Sequence, residues 1–332
     1  MSFSLYYAPT IKYDILKQRP QHLLKYLARL GVKCYFCEAE QKGKPTARTI
    51  EDNLIVLNGF LQTNFKRPLV FYYTYPEHVK HIGKLKEDIV VFDTIDEPVE
   101  EFSHWAPDYE KALQTADIVF ASAQKLLTSA LEFNTNSHLV TNGVEYDFFS
   151  KEVSGRAVHL KKLNPNVPTI GFYGAVATWI DFEVVFKAAL QRPDWQFVIV
   201  GPTYNYELPP LPTNMTRVMH VPYEELPKYL ACFDVCLVPF KPSKVADSCN
   251  PLKMWEYLAA GKPVVVTNIL EAPEAPLVYH ATTDNFVDTI LKALVENTPE
   301  LKQLRQAYAK RNSWETKAKK VYAEIFKKIT DM

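Results

Sequence analysis

The sequence predicts an α/β protein built from two doubly wound, Rossmann-like domains. Short apolar runs alternate with helical periodicity twice along the chain, and a charged and polar stretch at 146–167 separates the two series. The length of 332 residues is enough for two domains at roughly 100–200 residues each. Apolar residues make up 47% and charged residues 23%, which excludes wholesale disorder.

The first alternating series occupies residues 1–150. Its predicted strands are short apolar runs: Phe3–Tyr7, Val32–Cys37, Leu54–Leu57, Leu69–Tyr73, Ile89–Phe92, Ile118–Ala121 and His138–Val140. Its predicted helices have apolar residues at helical spacing: Pro20–Leu30, Trp105–Thr115 and Gln124–Phe133. Strands that alternate with helices indicate β-α-β units and a mostly parallel sheet.

The second series occupies residues 151–312. Its predicted strands are Thr169–Tyr173, Trp195–Val200, Arg217–Val221, Val235–Pro239 and Val264–Thr267. Its predicted helices are Phe182–Leu190, Tyr223–Cys232 and Pro251–Ala260. We interpret 146–167 as an interdomain linker. We expect the last segment, 313–332, to contain an amphipathic helix that packs on the N-terminal domain.

Charge and glycine content exclude several classes of protein. Lys and Arg number 38 and so do Asp and Glu, so nothing favours a nucleic-acid partner. With 10 glycines and neither G-x-G-x-x-G nor a P-loop motif, a nicotinamide dehydrogenase or a P-loop enzyme is not expected. The start of the chain lacks the features of a signal peptide, and no run of 18 apolar residues occurs, so we expect a cytoplasmic protein.

The stretch Ser248–Val266, SCNPLKMWEYLAAGKPVVV, predicts a helix between two strands. Asn250 is a suitable N-cap, and Pro251 fits the first helical position. Gly261 suits the left-handed position after the helix, and Pro263 prevents its continuation. A helix that begins after the carboxyl end of a strand presents free N–H groups to an anion.

Lys253 lies in the first turn of this helix, where a cation opposes the helix dipole by roughly 0.3–1 kcal/mol. A diphosphate bound at the helix start would explain the lysine. Pairing of Lys253 with Glu256, three residues on along an exposed face, would explain it equally well. Helical spacing leaves both interpretations open.

The stretch also resembles the donor-binding segment of glycosyltransferase family 4, especially its bacterial envelope-polysaccharide members. The matching residues are Asn250-Pro251-Leu252-Lys253 and Glu256 to Val265. Other segments agree with that family in order and spacing, so that the resemblance covers nearly the whole chain: Asp117–Ser122, Val140–Glu145, Ile170–Ala175, Phe197–Pro202 and Phe233–Phe240.

The resemblance implies a GT-B fold, in which two Rossmann-like domains face each other, with 1–150 on the acceptor side and 151–312 binding the sugar nucleotide. In the family, the glutamate at Glu256 holds the ribose hydroxyls, which suits a carboxylate because it accepts two O–H bonds. A cation near the diphosphate offsets charge on the leaving group. We predict Lys253 for this role, with Lys241, Lys244 and Arg19 as weaker candidates. The predicted donor-binding set is Gly174, Val221, Tyr223, Lys241, Ser248, Asn250, Pro251, Leu252, Lys253 and Glu256.

Two departures from the family pattern affect the chemistry. Many members carry two glutamates, and the first would fall at Ser248, so that carboxylate is missing. The Arg and Lys that usually follow the first strand of the donor domain are also absent. Asp181, after the first strand of the second domain, is either a helix cap or a donor contact. No D-x-D motif occurs, which favours a site without a metal, and we expect no cofactor.

The acceptor side is predicted from strand position alone. Asp96 is the preferred acceptor-side base, because it follows the carboxyl end of Ile89–Phe92. We expect its neighbour Asp93 to accept backbone N–H groups. The alternatives to Asp96 are three histidines: His22, His78 and His104.

The leading hypothesis is a retaining, metal-independent enzyme that moves a sugar from a nucleoside diphosphate donor, such as a UDP-sugar, to an acceptor. The acceptor would be a cell-envelope or exopolysaccharide glycan or a lipid-linked sugar. A non-catalytic relative that binds sugar nucleotide or glycan, and a nucleotide-sugar epimerase, remain alternatives. Lysine-rich faces, among them Lys317–Lys320, are either solvated or make a peripheral contact with anionic lipid at the inner face of the membrane.

Overall fold

The computed structural model describes residues 3–39, 46–59, 64–153, 155 and 157–332, which form two compact α/β units. Unit 1 comprises Met1–Asn142, Ser248–Asn250 and Trp314–Met332, and unit 2 comprises Gly143–Asp247 and Pro251–Ser313. The division falls after Asn142, whereas the sequence placed it after residue 150. The predicted class, α/β with two Rossmann-like parallel sheets, is confirmed.

Unit 1 has a sheet with the strand order β3-β4-β2-β1-β5-β6-β7-β8. These strands are β1 (Ser4–Thr10), β2 (Lys33–Glu38), β3 (Thr46–Glu51), β4 (Leu54–Asn58), β5 (Leu69–Tyr73), β6 (Ile89–Thr94), β7 (Ile118–Ala121) and β8 (Ser137–Leu139). All neighbours pair in parallel except β3 and β4, which are antiparallel. The sequence did not predict β3, because this edge strand is mostly exposed and has no apolar run.

Three helices of unit 1 follow from the periodicity of the sequence: α1 (Arg19–Arg29), α2 (Ala106–Thr115) and α3 (Gln124–Leu131). Helix α1 buries Leu23, Leu24 and Leu27 completely against the sheet, as the i, i+3, i+4 spacing predicts. Full burial of each leucine is worth roughly 1.5–3 kcal/mol. The helix therefore fixes the position of its first residue, Arg19, relative to the strand ends.

Unit 2 has an all-parallel sheet with the strand order β11-β10-β9-β12-β13-β14. These strands are β9 (Thr169–Tyr173), β10 (Gln196–Val200), β11 (Met215–Val218), β12 (Val235–Pro239), β13 (Val264–Thr267) and β14 (Val278–His280). The order reverses between β9 and β12. Ligands of open α/β sheets bind outside the carboxyl ends of the strands at such a switch point.

The helices of unit 2 are α4 (Tyr146–Phe149), α5 (Phe182–Gln191), α6 (Leu226–Ala231), α7 (Lys244–Asp247), α8 (Leu252–Ala259), α9 (Phe286–Val295) and α10 (Pro299–Arg311). The prediction that an interdomain linker begins at residue 146 is therefore wrong. Residues 146–149 form α4, which packs on α8, and Phe148 stacks on Tyr223 with ring centroids 5.4 Å apart. Aromatic burial holds this segment on unit 2 despite its polar surroundings.

The last helix, α11 (Trp314–Thr330), belongs to unit 1 and packs on α1. Its first residue, Trp314, stacks on His22 with ring centroids 5.4 Å apart, and Ala318, Val321 and Ile325 join the core of unit 1. No helix in the described part of the chain has both the length and the apolar character that a membrane span requires.

Candidate functional site

The loops at the switch point of unit 2 are fixed to each other by backbone hydrogen bonds. The N–H of Asp181, in the loop after β9, donates to the carbonyl of Pro239 at the end of β12 over 2.6 Å. The N–H of Lys241 donates back to the carbonyl of Trp179 over 2.9 Å. Asp181 also caps α5 by accepting from the N–H of Val184, so the cap alternative is confirmed for this residue.

Helix α8 begins at this switch point, one residue later than the sequence predicts. Pro251 has extended geometry, with ψ at 126°, so it is the N-cap and Leu252 is the first helical residue. The prediction that Asn250 is the N-cap is therefore wrong. Asn250 belongs to unit 1, where its carbonyl accepts from Nδ2 of Asn142 over 2.6 Å. At the other end, Gly261 has φ of +74°, which confirms the predicted left-handed position.

Lys253 in the first turn of α8 reaches the end of β9. Its Nζ lies 4.7 Å from the ring centroid of Phe172 and 5.7 Å from that of Phe240. A Cβ atom added at Gly174, where φ is +138°, would lie only 2.6 Å from this Nζ. Gly174 is thus required by its backbone conformation, and its lack of a side chain leaves room for the end of the lysine. The structure brings these two predicted site residues together.

Glu256, one turn further along α8, is buried with 7% of its surface exposed. Its Oε2 accepts a hydrogen bond from the hydroxyl of Tyr173 over 2.7 Å. Burial raises the pKa of Glu256 to about 7, although the Tyr173 hydrogen bond and the charge of Lys253 lower it. The charge of Glu145 raises this pKa further. A buried carboxylate with its pKa near neutrality is typical of a functional site.

Tyr173, the last residue of β9, is a site residue that the sequence did not single out. Its N–H donates to the hydroxyl of Tyr257 over 3.0 Å, and the two rings pack edge to face at 4.7 Å. These contacts fix the tyrosine, so that its hydroxyl is presented to Glu256. The signal that could have identified it is its place in the resembling segment Ile170–Ala175, directly before Gly174.

Three further predicted donor residues lie in unit 2, and two of them contact aromatic rings. Tyr223 stacks on Phe148 and packs edge to face with Phe149 at 5.6 Å. The Nζ of Lys241 lies 5.6 Å from the ring centroid of Tyr206. The third, Val221, is 8% exposed after β11.

Two other predicted donor residues group with unit 1. Ser248 is fully buried and Asn250 is 4% exposed, and both belong to the short segment that unit 1 contains. Pro251 and Leu252, which follow them, begin α8 in unit 2.

Unit 1 contains a second buried carboxylate, Asp93, at the carboxyl end of β6. Nε and Nη2 of Arg19 each donate to one Asp93 oxygen over 2.8 Å, and the Tyr72 hydroxyl donates to Oδ2 over 2.8 Å. The expectation that Asp93 accepts backbone N–H groups is wrong, because a bidentate arginine takes their place. Arg19 also donates to Oδ1 of Asn142 over 3.2 Å. The charge of Arg19, a predicted catalytic cation, is compensated within unit 1 by Asp93.

Asp96, the predicted acceptor-side base, follows β6 in unit 1. Burial raises its pKa to about 7, and the charge of Glu101 adds to the rise. A group that titrates near neutral pH is suited to general acid–base work. Of the alternatives, His22 stacks on Trp314, and Nε2 of His78 lies 2.6 Å from the carbonyl of Pro9. Burial lowers the pKa of His78.

The parallel sheet of unit 2 thus has a lysine and a buried glutamate at its switch point, where ligands of open α/β sheets bind. Residues 167–296 of this domain match the family described as glycosyl transferases group 1. The chain is also 34% identical over 215 residues to TuaH of Bacillus subtilis, a protein assigned to teichuronic acid biosynthesis as a glycosyltransferase. That match covers 60% of this chain and 52% of TuaH, so the chain spans about half the length of this relative.

Solved structures agree over the whole fold. Sucrose-phosphate synthase from Thermosynechococcus elongatus superposes with a TM-score of 0.77 at 13% identity, covering 99% of each chain. The Anabaena protein HepE, in complex with UDP and glucose, superposes with a TM-score of 0.72 at 12% identity, covering 97% of this chain and 98% of HepE. These comparisons confirm the predicted resemblance to glycosyltransferases of GT-B architecture.

Proposed function

We propose that this protein is a glycosyltransferase that takes a sugar from a nucleoside diphosphate donor, with UDP-sugars as the first candidates, and transfers it to a cell-envelope polysaccharide or its lipid-linked precursor. The observation that carries the proposal is the buried Glu256 carboxylate, oriented by Tyr173 beside Lys253 at the switch point of unit 2. Support for the donor comes from HepE, which binds UDP and UDP-glucose, and support for the acceptor class comes from TuaH.

Each group at this site has a defined role in the proposed reaction. Glu256 accepts hydrogen bonds from the ribose hydroxyls and so orients the nucleotide. Lys253 and the first N–H groups of α8 offset the negative charge that grows on the β-phosphate as its bond to the anomeric carbon breaks. Because a lysine and a helix terminus supply this charge, we propose that no metal ion and no cofactor are required.

The acceptor side of the proposal rests on unit 1. The acceptor hydroxyl attacks the face of the anomeric carbon that the leaving group vacates, so its configuration is retained. The β-phosphate oxygen assists removal of the hydroxyl proton, and Asp96 is the acceptor-side group with a pKa suited to receive it.

The experiment is a two-stage assay on the full chain. Thermal unfolding is measured with UDP, ADP, GDP and dTDP at 1 mM, because a ligand that binds the native state raises the melting temperature. Release of the preferred nucleoside diphosphate is then measured with a panel of its sugars, with EDTA present and absent. We expect one nucleotide to stabilise the protein and EDTA to leave turnover unchanged. Absence of stabilisation by every nucleotide would contradict the proposal.

A second candidate function is a non-catalytic binding protein that holds sugar nucleotide within an assembly. Its support is Ser248, a fully buried serine at the position where many family members have the first glutamate. Stabilisation by a nucleotide together with no turnover of any donor, with or without glycan acceptors, would favour this candidate over the enzyme.

A further inference from the structure

The hydroxyl of Tyr173 and the carboxylate of Glu256 form a buried pair that links β9 to α8. The donor and acceptor oxygens are 2.7 Å apart, the tyrosine is 3% exposed and the glutamate 7%. Among the described residues, this hydroxyl is the side-chain group that donates a hydrogen bond to the carboxylate. An ionised carboxylate has about four acceptor positions on its two oxygens. One position is occupied by Tyr173, so the others remain for hydroxyl donors of a ligand.

Three charged or titratable groups face this carboxylate from the surrounding elements. Tyr173 reaches it from β9, Lys253 lies on its own helix α8, and Glu145 precedes α4, which packs on α8. Tyr173 and Lys253 favour the ionised form of Glu256, whereas burial and Glu145 favour the protonated form. The opposing effects leave the pKa of Glu256 at about 7, so a modest change in one of them changes the fraction of Glu256 that is ionised at neutral pH.

We propose that Tyr173 is a positioning residue that holds Glu256 in its ionised, hydroxyl-accepting form, so that ribose recognition depends on pH through this pair. The inference rests on the proposed function, in which Glu256 binds the ribose. A protonated carboxyl would have to donate one hydrogen bond and could no longer accept from two ribose hydroxyls. Affinity for a ribonucleotide is therefore lost as Glu256 takes up a proton. Removal of the Tyr173 hydroxyl makes that uptake easier.

The test compares UDP with 2′-deoxy-UDP between pH 5.5 and pH 9, with dissociation constants measured by calorimetry. The diphosphates of the two nucleotides titrate alike, so the ratio of the two constants reports the ribose contact alone. In the wild-type protein we expect the preference for UDP over 2′-deoxy-UDP to fall as the pH is lowered, with a midpoint near pH 7. In Tyr173→Phe we expect the midpoint to rise by about one pH unit, since one hydrogen bond to the ionised form is lost. Affinity for UDP should then fall roughly 5-fold at pH 7 and change little at pH 9.

Tyr229→Phe is the matched control. Tyr229 is also 3% exposed in unit 2, and its hydroxyl is hydrogen-bonded to Nδ1 of His159 over 2.5 Å instead of to a carboxylate. Its removal should leave the midpoint at the wild-type value. In the Glu256→Gln background, Tyr173→Phe should have no pH-dependent effect, because the titrating group is absent.

The outcomes separate failure of this inference from failure of the proposed function. If the wild-type protein binds UDP and 2′-deoxy-UDP equally at pH 9, or binds no nucleotide, the proposed role of Glu256 is wrong. If it prefers UDP but Tyr173→Phe keeps the wild-type midpoint, the positioning role of Tyr173 is overturned. Should Tyr173→Phe not fold, a wild-type preference that stays constant from pH 5.5 to pH 9 overturns it instead.

Discussion

The two buried carboxylates of this protein, Asp93 in unit 1 and Glu256 in unit 2, occupy comparable places and have different surroundings. Asp93 lies at the carboxyl end of β6, and Glu256 on α8 contacts Tyr173, the last residue of β9. Each accepts a hydrogen bond from a buried tyrosine, Tyr72 or Tyr173. Asp93 also receives two hydrogen bonds from Arg19, whose charge compensates its own. Glu256 has no arginine among its described partners, and burial raises its pKa to about 7.

The difference separates a structural carboxylate from one suited to a ligand. A buried ion pair with its hydrogen bonds satisfied has little capacity left for another group, and it holds α1 against the strand ends of unit 1. A buried carboxylate without such compensation is unfavourable until a partner arrives. A hydroxyl-rich ligand would therefore lower the free-energy cost of burying the Glu256 carboxylate. Substitutions at Arg19, Lys253 and Glu256 test this difference.

The largest effect is expected for Arg19→Met, which leaves the Asp93 charge buried without its partner. We expect a loss of roughly 3–5 kcal/mol in the free energy of unfolding, measured by urea denaturation. The control is Arg29→Met on the same helix, which removes an exposed ion pair in which Nη2 of Arg29 lies 3.3 Å from Oε2 of Glu51. We expect this change to lower the free energy of unfolding by at most about 1 kcal/mol. A stable Arg19→Met protein without turnover would instead support the catalytic role that the sequence predicted.

The next effect is expected for Lys253→Met, which removes the cation at Gly174. In the proposed reaction, kcat should fall about 10²–10³-fold, because charge on the leaving phosphate is no longer offset. The measurement is nucleoside diphosphate release with the preferred donor. Lys187→Met, at an exposed position on α5, is the control and should keep wild-type kcat. Retention of kcat in Lys253→Met would favour the alternative in which this lysine merely pairs with Glu256.

The smallest effect is expected for Glu256→Gln on stability, and its sign depends on pH. Below about pH 4.5 the carboxyl is protonated in both the folded and the unfolded chain. Between about 4.5 and 7 only the folded chain keeps the proton, so stability falls as the pH rises through this window. Glutamine avoids that loss, so we expect Glu256→Gln to be more stable by roughly 1–3 kcal/mol at pH 8.5, with no gain at pH 4.5.

Urea denaturation at both pH values measures this prediction, and the exposed Glu207→Gln serves as control. An equal effect of Glu256→Gln at both pH values would mean that the carboxyl has an ordinary pKa. The contrast with Asp93 would then disappear.

Local patterns predicted most of the fold and part of the candidate site. The apolar runs of β1, β5, β6, β9, β12 and β13 and the spacing of Leu23, Leu24 and Leu27 are properties of short segments, and so they could be recognised in the sequence. Gly174, Lys253 and Glu256 followed from a resemblance to a family. The sequence did not predict β3, β14, α4, α7, α9 and α10. Of these, pairing with β4 holds the polar edge strand β3, and aromatic packing on Tyr223 holds α4.

Sequence patterns therefore define the order of the predicted strands and helices, the helix that ends before Gly261 and the residue types at its start. Which side chains meet follows from the tertiary fold. Tyr173 and Glu256 are 83 positions apart, and Arg19 and Asp93 are 74 apart. Such pairs arise because the strand order places distant strand ends side by side, where burial makes each carboxylate depend on its neighbours. A buried carboxylate is thus compensated by an arginine in unit 1, whereas the one in unit 2 has no arginine among its described partners.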